Sequence, residues 1–282
     1  MNIKVSELFY SIQGEGRYMG VPSVFLRTFG CNFTCDGFGM AKGMKSNERD
    51  FFAANIMRYQ SYKNLPLAGT GCDSYASWDP RFKDLSPMVE IDGLVNNIMD
   101  MLPYNEWRDE HLVITGGEPL LGWQRAYPEL LGHEKMRSLK HLTFETNGTQ
   151  MLTTEFATWL HREFHHDRGI YSVTFSISPK LSVSGEKRED AIKPEVVAQL
   201  DEYGYAYLKF VVASEEDVTE ALEMTELYRD AGFGGPVYLM PLGGIESTYH
   251  MNKTQVANLA LKHGLRYSDR LHVPLFKNAW GT

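Results

Sequence analysis

The chain has 282 residues, 43% of them hydrophobic and 23% charged, with a formal net charge of −8. That length suffices for one large domain with a well-buried core, and the acidic balance argues against a broad electrostatic grip on nucleic acid, so no direct nucleic-acid binding is expected. No run approaches the roughly 18 apolar residues of a membrane helix, the first residues lack the shape of a signal peptide, and an odd count of three cysteines argues against a disulfide framework; a soluble, cytoplasmic protein is expected.

Strands and helices alternate along the chain. Residues 24–26 predict a strand that runs into Gly30 and Cys31. The alternation then fails over residues 36–71, which open on Gly37, Gly39 and Gly43, carry a helical stretch at 49–62 and close on Gly69-Thr70-Gly71. This segment reads as an insertion that leaves the rim of the fold and returns. Ile91, Leu94, Val95, Ile98, Met101 and Leu102 share one face of a predicted helix, which Pro103 ends. A buried-type strand over 111–115 breaks at Gly116-Gly117, and another begins at 139 and stops at Asn147-Gly148. Thr153 or Thr154 caps a helix to about residue 164. A strand over 173–177 ends at Pro179, and Pro194 opens a helix over 194–203, where a first-turn proline fits. The rest predicts a strand over 207–212, a helix over 215–230 with an acidic start, a strand over 237–240 and a helix over 252–263.

This order predicts parallel strands with helical crossovers. About six βα units fit, so the expected architecture is a partial (β/α)6 barrel formed by a single domain over 1–282, with 36–71 inserted. In barrels the reactive groups lie at the C-terminal ends of strands. The polar and glycine-rich blocks fall there: Cys31, Gly116-Gly117-Glu118, Glu145-Thr146-Asn147-Gly148 and Ser178-Pro179-Lys180 each follow a predicted strand.

Cys31 and Cys35 share one tight loop, and Cys72 stands apart in Gly71-Cys72-Asp73-Ser74. Three thiolates suit a four-iron cluster with one iron left open. A structural zinc site or three inert buried cysteines are the alternatives these residues leave. Glycines at 116 and 117 allow close approach of a ligand to the backbone, and Glu118 can accept from a cationic amine; an ordinary strand-to-helix turn would look the same. The guanidinium fork of Arg27 matches a carboxylate or a strand salt bridge. Gln13 and Glu15 offer an amide and a carboxylate to a hydrogen-bonding ligand, or form a surface turn. Asn147 also suits a turn, Lys180 a solvated lysine and His272 a structural histidine. His161 and His165 lie one turn apart on a predicted half-exposed helix face and are assigned no role.

Taken in order, several blocks resemble the 7-carboxy-7-deazaguanine synthases, a family of radical S-adenosylmethionine enzymes. They are Glu7 with Ser11-Ile12-Gln13-Gly14-Glu15-Gly16, Gly20, Pro22, Phe25, Arg27 and Gly30-Cys31; Cys72-Asp73-Ser74; and Ile114-Thr115-Gly116-Gly117-Glu118-Pro119. Glu145-Thr146-Asn147-Gly148, Ser178-Pro179-Lys180, Lys209-Phe210-Val211 and Arg270-Leu271-His272 complete the series, which spans almost the whole chain. Two departures stand out: the long spacing between Cys35 and Cys72, and Ser74 where the family usually has threonine.

The resemblance implies a [4Fe-4S] cluster on Cys31, Cys35 and Cys72, and S-adenosylmethionine held by Gly117, Glu118, Asn147, Ser178 and Lys180. It implies magnesium at Ser74, whose hydroxyl replaces that of threonine, and a substrate pocket lined by Gln13, Glu15, Arg27, Thr115, Glu145 and His272. The implied reaction converts 6-carboxy-5,6,7,8-tetrahydropterin to 7-carboxy-7-deazaguanine with loss of ammonia. It needs an external one-electron reductant, and such enzymes are often homodimers. Two other readings stay open on sequence. One is a radical activase that docks a partner protein through residues 36–71; the other is a non-enzymatic, zinc-stabilised binding module.

Overall fold

The computed structural model describes residues 1–166 and 172–282. Its strands are β1 (Asn2–Ile12), β2 (Pro22–Thr28), β3 (Met88–Glu90), β4 (His111–Gly116), β5 (His141–Thr146), β6 (Ser172–Ile177), β7 (Tyr205–Val212), β8 (Val237–Pro241) and β9 (Arg266–Tyr267). They form one open sheet in the order β3-β1-β2-β4-β5-β6-β7-β8-β9. From β2 through β9 every neighbouring pair is parallel, while β1 runs antiparallel to both β2 and β3. The six longer parallel strands and the unclosed sheet make the partial (β/α)6 barrel that the alternation predicts. All residues of β4 and of β8 are buried, as expected where a parallel sheet is covered on both faces.

The helices are α1 (Glu48–Ala54), α2 (Ile91–Met101), α3 (Tyr127–Gly132), α4 (Thr154–Trp159), α5 (Arg188–Ala191), α6 (Pro194–Tyr203), α7 (Glu215–Asp230), α8 (Glu246–His263) and α9 (His272–Phe276). Helix α2 buries Ile91, Leu94, Val95 and Ile98, the face its spacing predicts. Thr153 caps α4 by accepting from Phe156 N at 3.3 Å, and Ser214 with Asp217 closes a capping box on α7. After Trp159 the chain widens into a π-helical turn over Leu160–His166; the side chains of His165 and His166 lie outside the described ones. Helix α8 starts six residues before the predicted 252, in a polar stretch that carries no apolar periodicity. No helix among the described residues is long and apolar enough to cross a membrane.

Residues 36–71 contribute no strand to the sheet and hold less helix than expected. Helix α1 is followed by short 3-10 turns at Ile56–Arg58 and Tyr62–Asn64. Phe52, Tyr62 and Leu65 join Tyr75 and Phe82 in a small hydrophobic cluster separate from the main core. The two stems of the insertion are tied together. Gly71 N donates to Phe38 O at 2.7 Å, Ser46 and Thr70 share a hydroxyl bond of 2.7 Å, and Glu48 accepts from Gly69 N and Thr70 Oγ1 at 2.8 and 2.7 Å. Arg49 anchors on Asp36 at 2.7 Å. The excursion therefore ends beside its start.

Candidate active site

These ties return Cys72 to the loop that carries Cys31 and Cys35. All three cysteines line one cavity of about 260 Å³ and join a small cluster with Phe33 and Phe38. Cys31 Sγ accepts from Phe33 N at 3.4 Å and Cys72 Sγ from Trp78 Nε1 at 3.3 Å. Glu186 fixes the far side of the loop by accepting from Thr34 N at 2.8 Å and Cys35 N at 2.6 Å. Burial pushes the Cys31 thiol up to about 12 and raises Cys35 and Cys72 as well. Buried thiols without a cation stay protonated, and bound iron supplies the positive charge that favours thiolate. Among the described residues no three His, Cys, Asp or Glu side chains group around a single ion. A cluster takes one thiolate per iron, so its ligands need not meet at a point. The donor set fits a [4Fe-4S] cluster.

The turn after β4 packs directly on this loop. A side chain at Gly117 would meet Gly30 O at 2.4 Å and Cys31 Cβ at 2.6 Å, so only glycine permits the approach. Glu118 N donates to Gly30 O at 2.7 Å. The Glu118 carboxylate is not on the cavity wall. It is wholly buried and accepts from Leu120 N, Thr146 Oγ1 and Asn147 N at 3.0, 2.8 and 2.7 Å. It joins the β4 turn to the β5 turn, a placement that strand-end reasoning did not separate from direct ligand contact. Gly117, Asn147, Ser178 and Lys180 do line the cavity. Asn147 Nδ2 donates to Asn32 Oδ1 at 2.9 Å, and Lys180 Nζ turns back onto Ser178 O at 2.7 Å.

Gln13, Glu15, Arg27, Thr115, Glu145 and His272 line the same cavity. Thr115, Glu145 and Arg27 come from strands. Gln13 and Glu15 do not follow the strand-end rule. Because β1 is antiparallel, Ile12 sits opposite Pro22, at the N-terminal end of β2. The chain then crosses beneath the cavity: Gly16 N donates to Ser268 Oγ at 2.8 Å, and Leu271 N to Gly14 O at 2.9 Å. Gln13 Nε2 reaches Glu145 Oε1 at 3.0 Å.

The charges around this cavity are paired. Lys209, 2% exposed, donates to Glu15 and lies 3.9 Å from Glu145. Arg270 bridges Glu15 at 3.2 Å and Asp73 at 2.6 Å, and donates to Gly243 O. Burial works against the charge of Glu15, but Lys209 and Arg270 hold its carboxyl far below the usual range. His272 lies 3.9 Å from Glu15; burial and the adjacent Arg270 push its imidazole down to about 4, so it is neutral at pH 7. Arg27 Nε donates to Glu7 at 2.9 Å, and burial raises the Glu7 carboxyl against the pull of Arg27. Lys209, Arg270, Asp73 and Glu7 were assigned no role on sequence. One signal could have found Lys209: a lysine between Leu208 and Phe210 in an apolar strand needs a buried partner. Ser74 also lines the cavity, 3.4 Å from Asp73 Oδ1 and 3.7 Å from Cys72 Sγ.

A 7-carboxy-7-deazaguanine synthase of Halobacterium salinarum is 33% identical over 98% of this chain and 91% of its own length. The chain belongs to the 7-carboxy-7-deazaguanine synthase family. Synthases of Rhodopirellula baltica and Pyrobaculum aerophilum are 27% and 28% identical, over 100% and 99% of the chain and 89% and 97% of their own lengths. The crystal structure of QueE from Escherichia coli matches at a TM-score of 0.56 and 20% identity, covering 96% of this chain and 95% of that one, which supports the fold. No protein-family model matches the chain. Family membership makes this synthase a radical S-adenosylmethionine lyase of 7-deazaguanine biosynthesis, with a [4Fe-4S] cluster and S-adenosylmethionine as its cofactors. It decides among the readings that the cysteines alone left open.

Proposed function

We propose that this cavity binds 6-carboxy-5,6,7,8-tetrahydropterin and releases 7-carboxy-7-deazaguanine and ammonia. The supporting observation is that three cysteine thiols, one buried and two half-buried, and the charge-paired Glu15 line the same cavity. Cys31, Cys35 and Cys72 hold the cluster, and Gly117, Asn147, Ser178 and Lys180 bind S-adenosylmethionine on the adjoining rim. Glu118 serves the same cofactor by fixing Asn147 N and the β4 turn. When bound, cluster and cofactor supply radical initiation, which no side chain offers.

The chain's own residues bind and orient. Glu15, kept ionised by Lys209 and Arg270, accepts from the N–H edge of the ring. Gln13, Thr115 and Glu145 complete that edge, and neutral His272 offers a hydrogen bond without adding charge. Arg27, steered by Glu7 through Nε, presents the rest of its fork to the substrate carboxylate. Ser74 Oγ beside Asp73 gives the oxygen donors magnesium takes. The reading extends to an external one-electron reductant, a homodimer and a cytoplasmic setting. Anaerobic reconstitution tests the cofactor half. About four irons and matching sulfide per chain are expected; stoichiometric zinc without sulfide overturns it.

A further inference from the structure

Residues 36–71 play no part in the roles above, and the small hydrophobic cluster they build has one member from far away. Trp280 stands edge-on to Tyr62 and Tyr75, with ring centroids 4.7 and 5.8 Å apart, and its Nε1 donates to Leu65 O at 2.8 Å. The chain reaches this socket through two consecutive left-handed residues, Lys277 (φ 57°) and Asn278 (φ 56°). Non-glycine residues hold that conformation only where the surroundings dictate it. Two contacts do so: Asn278 Nδ2 donates to Gly244 O at 2.7 Å, and Trp280 is seated. Between and beyond these anchors, residues 278–282 line the cavity together with Glu7 and its partner Arg27, and the Gly281 backbone favours the charged form of the Glu7 carboxyl.

Tyr62 connects this anchor to the cysteine loop. Its hydroxyl lies 2.9 Å from Ser77 Oγ, which donates to Ser74 O at 2.9 Å, while Ser77 O accepts from Gly30 N at 2.8 Å. We infer that the insertion is the socket for a strap of residues 277–282, and that Trp280, seated on Tyr62, is a positioning residue that sets the Glu7–Arg27 pair for the substrate carboxylate. This rests on the assignment of Arg27 to that carboxylate.

The test uses the reconstituted full chain with Trp280→Ala, Trp280→Phe, Tyr62→Ala and the double alanine variant. Trp280→Ala raises KM for the tetrahydropterin about tenfold, with iron content and S-adenosylmethionine affinity unchanged. Tyr62→Ala does the same, the double variant is no worse than the worse single, and Trp280→Phe recovers most of the loss. A KM within about twofold of the parent in Trp280→Ala, or multiplied effects in the double variant, overturns the inference. Hydrogen exchange gives a readout free of turnover and serves if the alanine variants do not fold. Trp280→Phe speeds exchange in both 278–282 and 62–69 while β4 to β8 stay protected; a rise confined to 278–282 removes the socket. If the parent itself makes no product, the functional reading fails, and the exchange result still decides the strap.

Discussion

The two ends of the parallel sheet solve opposite problems. At the cavity end, Lys209 and Arg270 are buried as charges and Glu15 and Asp73 are half-buried, each with an opposite partner. At the other end, near the starts of β4 and β5, His111 and His141 stack with ring centroids 4.4 Å apart, and Tyr18 closes edge-on at 4.4 Å. Burial drives His111 down to about 4 and lowers His141 too, so this end is plugged by neutral rings. Burying charge is costly unless it is paired. Charges are gathered and paired around the cavity, whereas the two stacked imidazoles at the other end stay neutral.

The contrast can be broken most severely at the cysteines. Cys72→Ala should lose the cluster as completely as Cys31→Ala, read by iron and sulfide content; full retention would show that the returning stem does not supply a ligand. Next is Lys209→Met, which leaves Glu15 one cation short. A loss of about 3–5 kcal/mol is expected in denaturant unfolding of the apo chain, and a change under about 1 kcal/mol would show that Arg270 suffices alone. Arg27→Ala should lower kcat/KM for the pterin about 100-fold while S-adenosylmethionine binding, read by equilibrium titration, is kept; normal pterin affinity would remove Arg27 from the carboxylate.

The smallest effect sharpens the neutral end. His111 is pulled below its ordinary pKa of 6.5, so between pH 6.5 and about 4 the unfolded chain binds a proton that the folded chain refuses. Stability from this site is fully present above pH 6.5 and is lost as pH falls through that window. His141, Asp109 and Tyr18 surround the ring, and Asp109 pulls the other way. His111 Nδ1 has no hydrogen-bond partner among the described residues, so His111→Phe keeps the stack and drops the proton. The variant's stability–pH slope should be shallower by about 1.4 kcal/mol per pH unit; parallel curves would mean His111 is charged in the fold.

Much of this was legible in the chain. Strands β4, β6, β7 and β8 announce themselves as apolar runs cut by glycine or proline, and the cavity motifs follow them. Strand β1 was not read, because its sequence mixes polar and apolar residues and its partner pairs arise only in three dimensions. Without that strand, a surface turn is the plain reading of Gln13 and Glu15, which in the fold line the cavity. The two pieces of the cysteine motif were visible, but not the Glu48 and Ser46 ties that reunite them. Glu118 shows the reverse: its position in the motif points to a ligand, while its carboxylate closes a turn.

The most direct measurement is an anaerobic reaction of the reconstituted chain with 6-carboxy-5,6,7,8-tetrahydropterin, S-adenosylmethionine, magnesium and a one-electron reductant, followed by mass analysis. The account predicts 7-carboxy-7-deazaguanine with one ammonia released per product formed. Recovery of unchanged pterin from a chain carrying its full cluster and bound S-adenosylmethionine would contradict it.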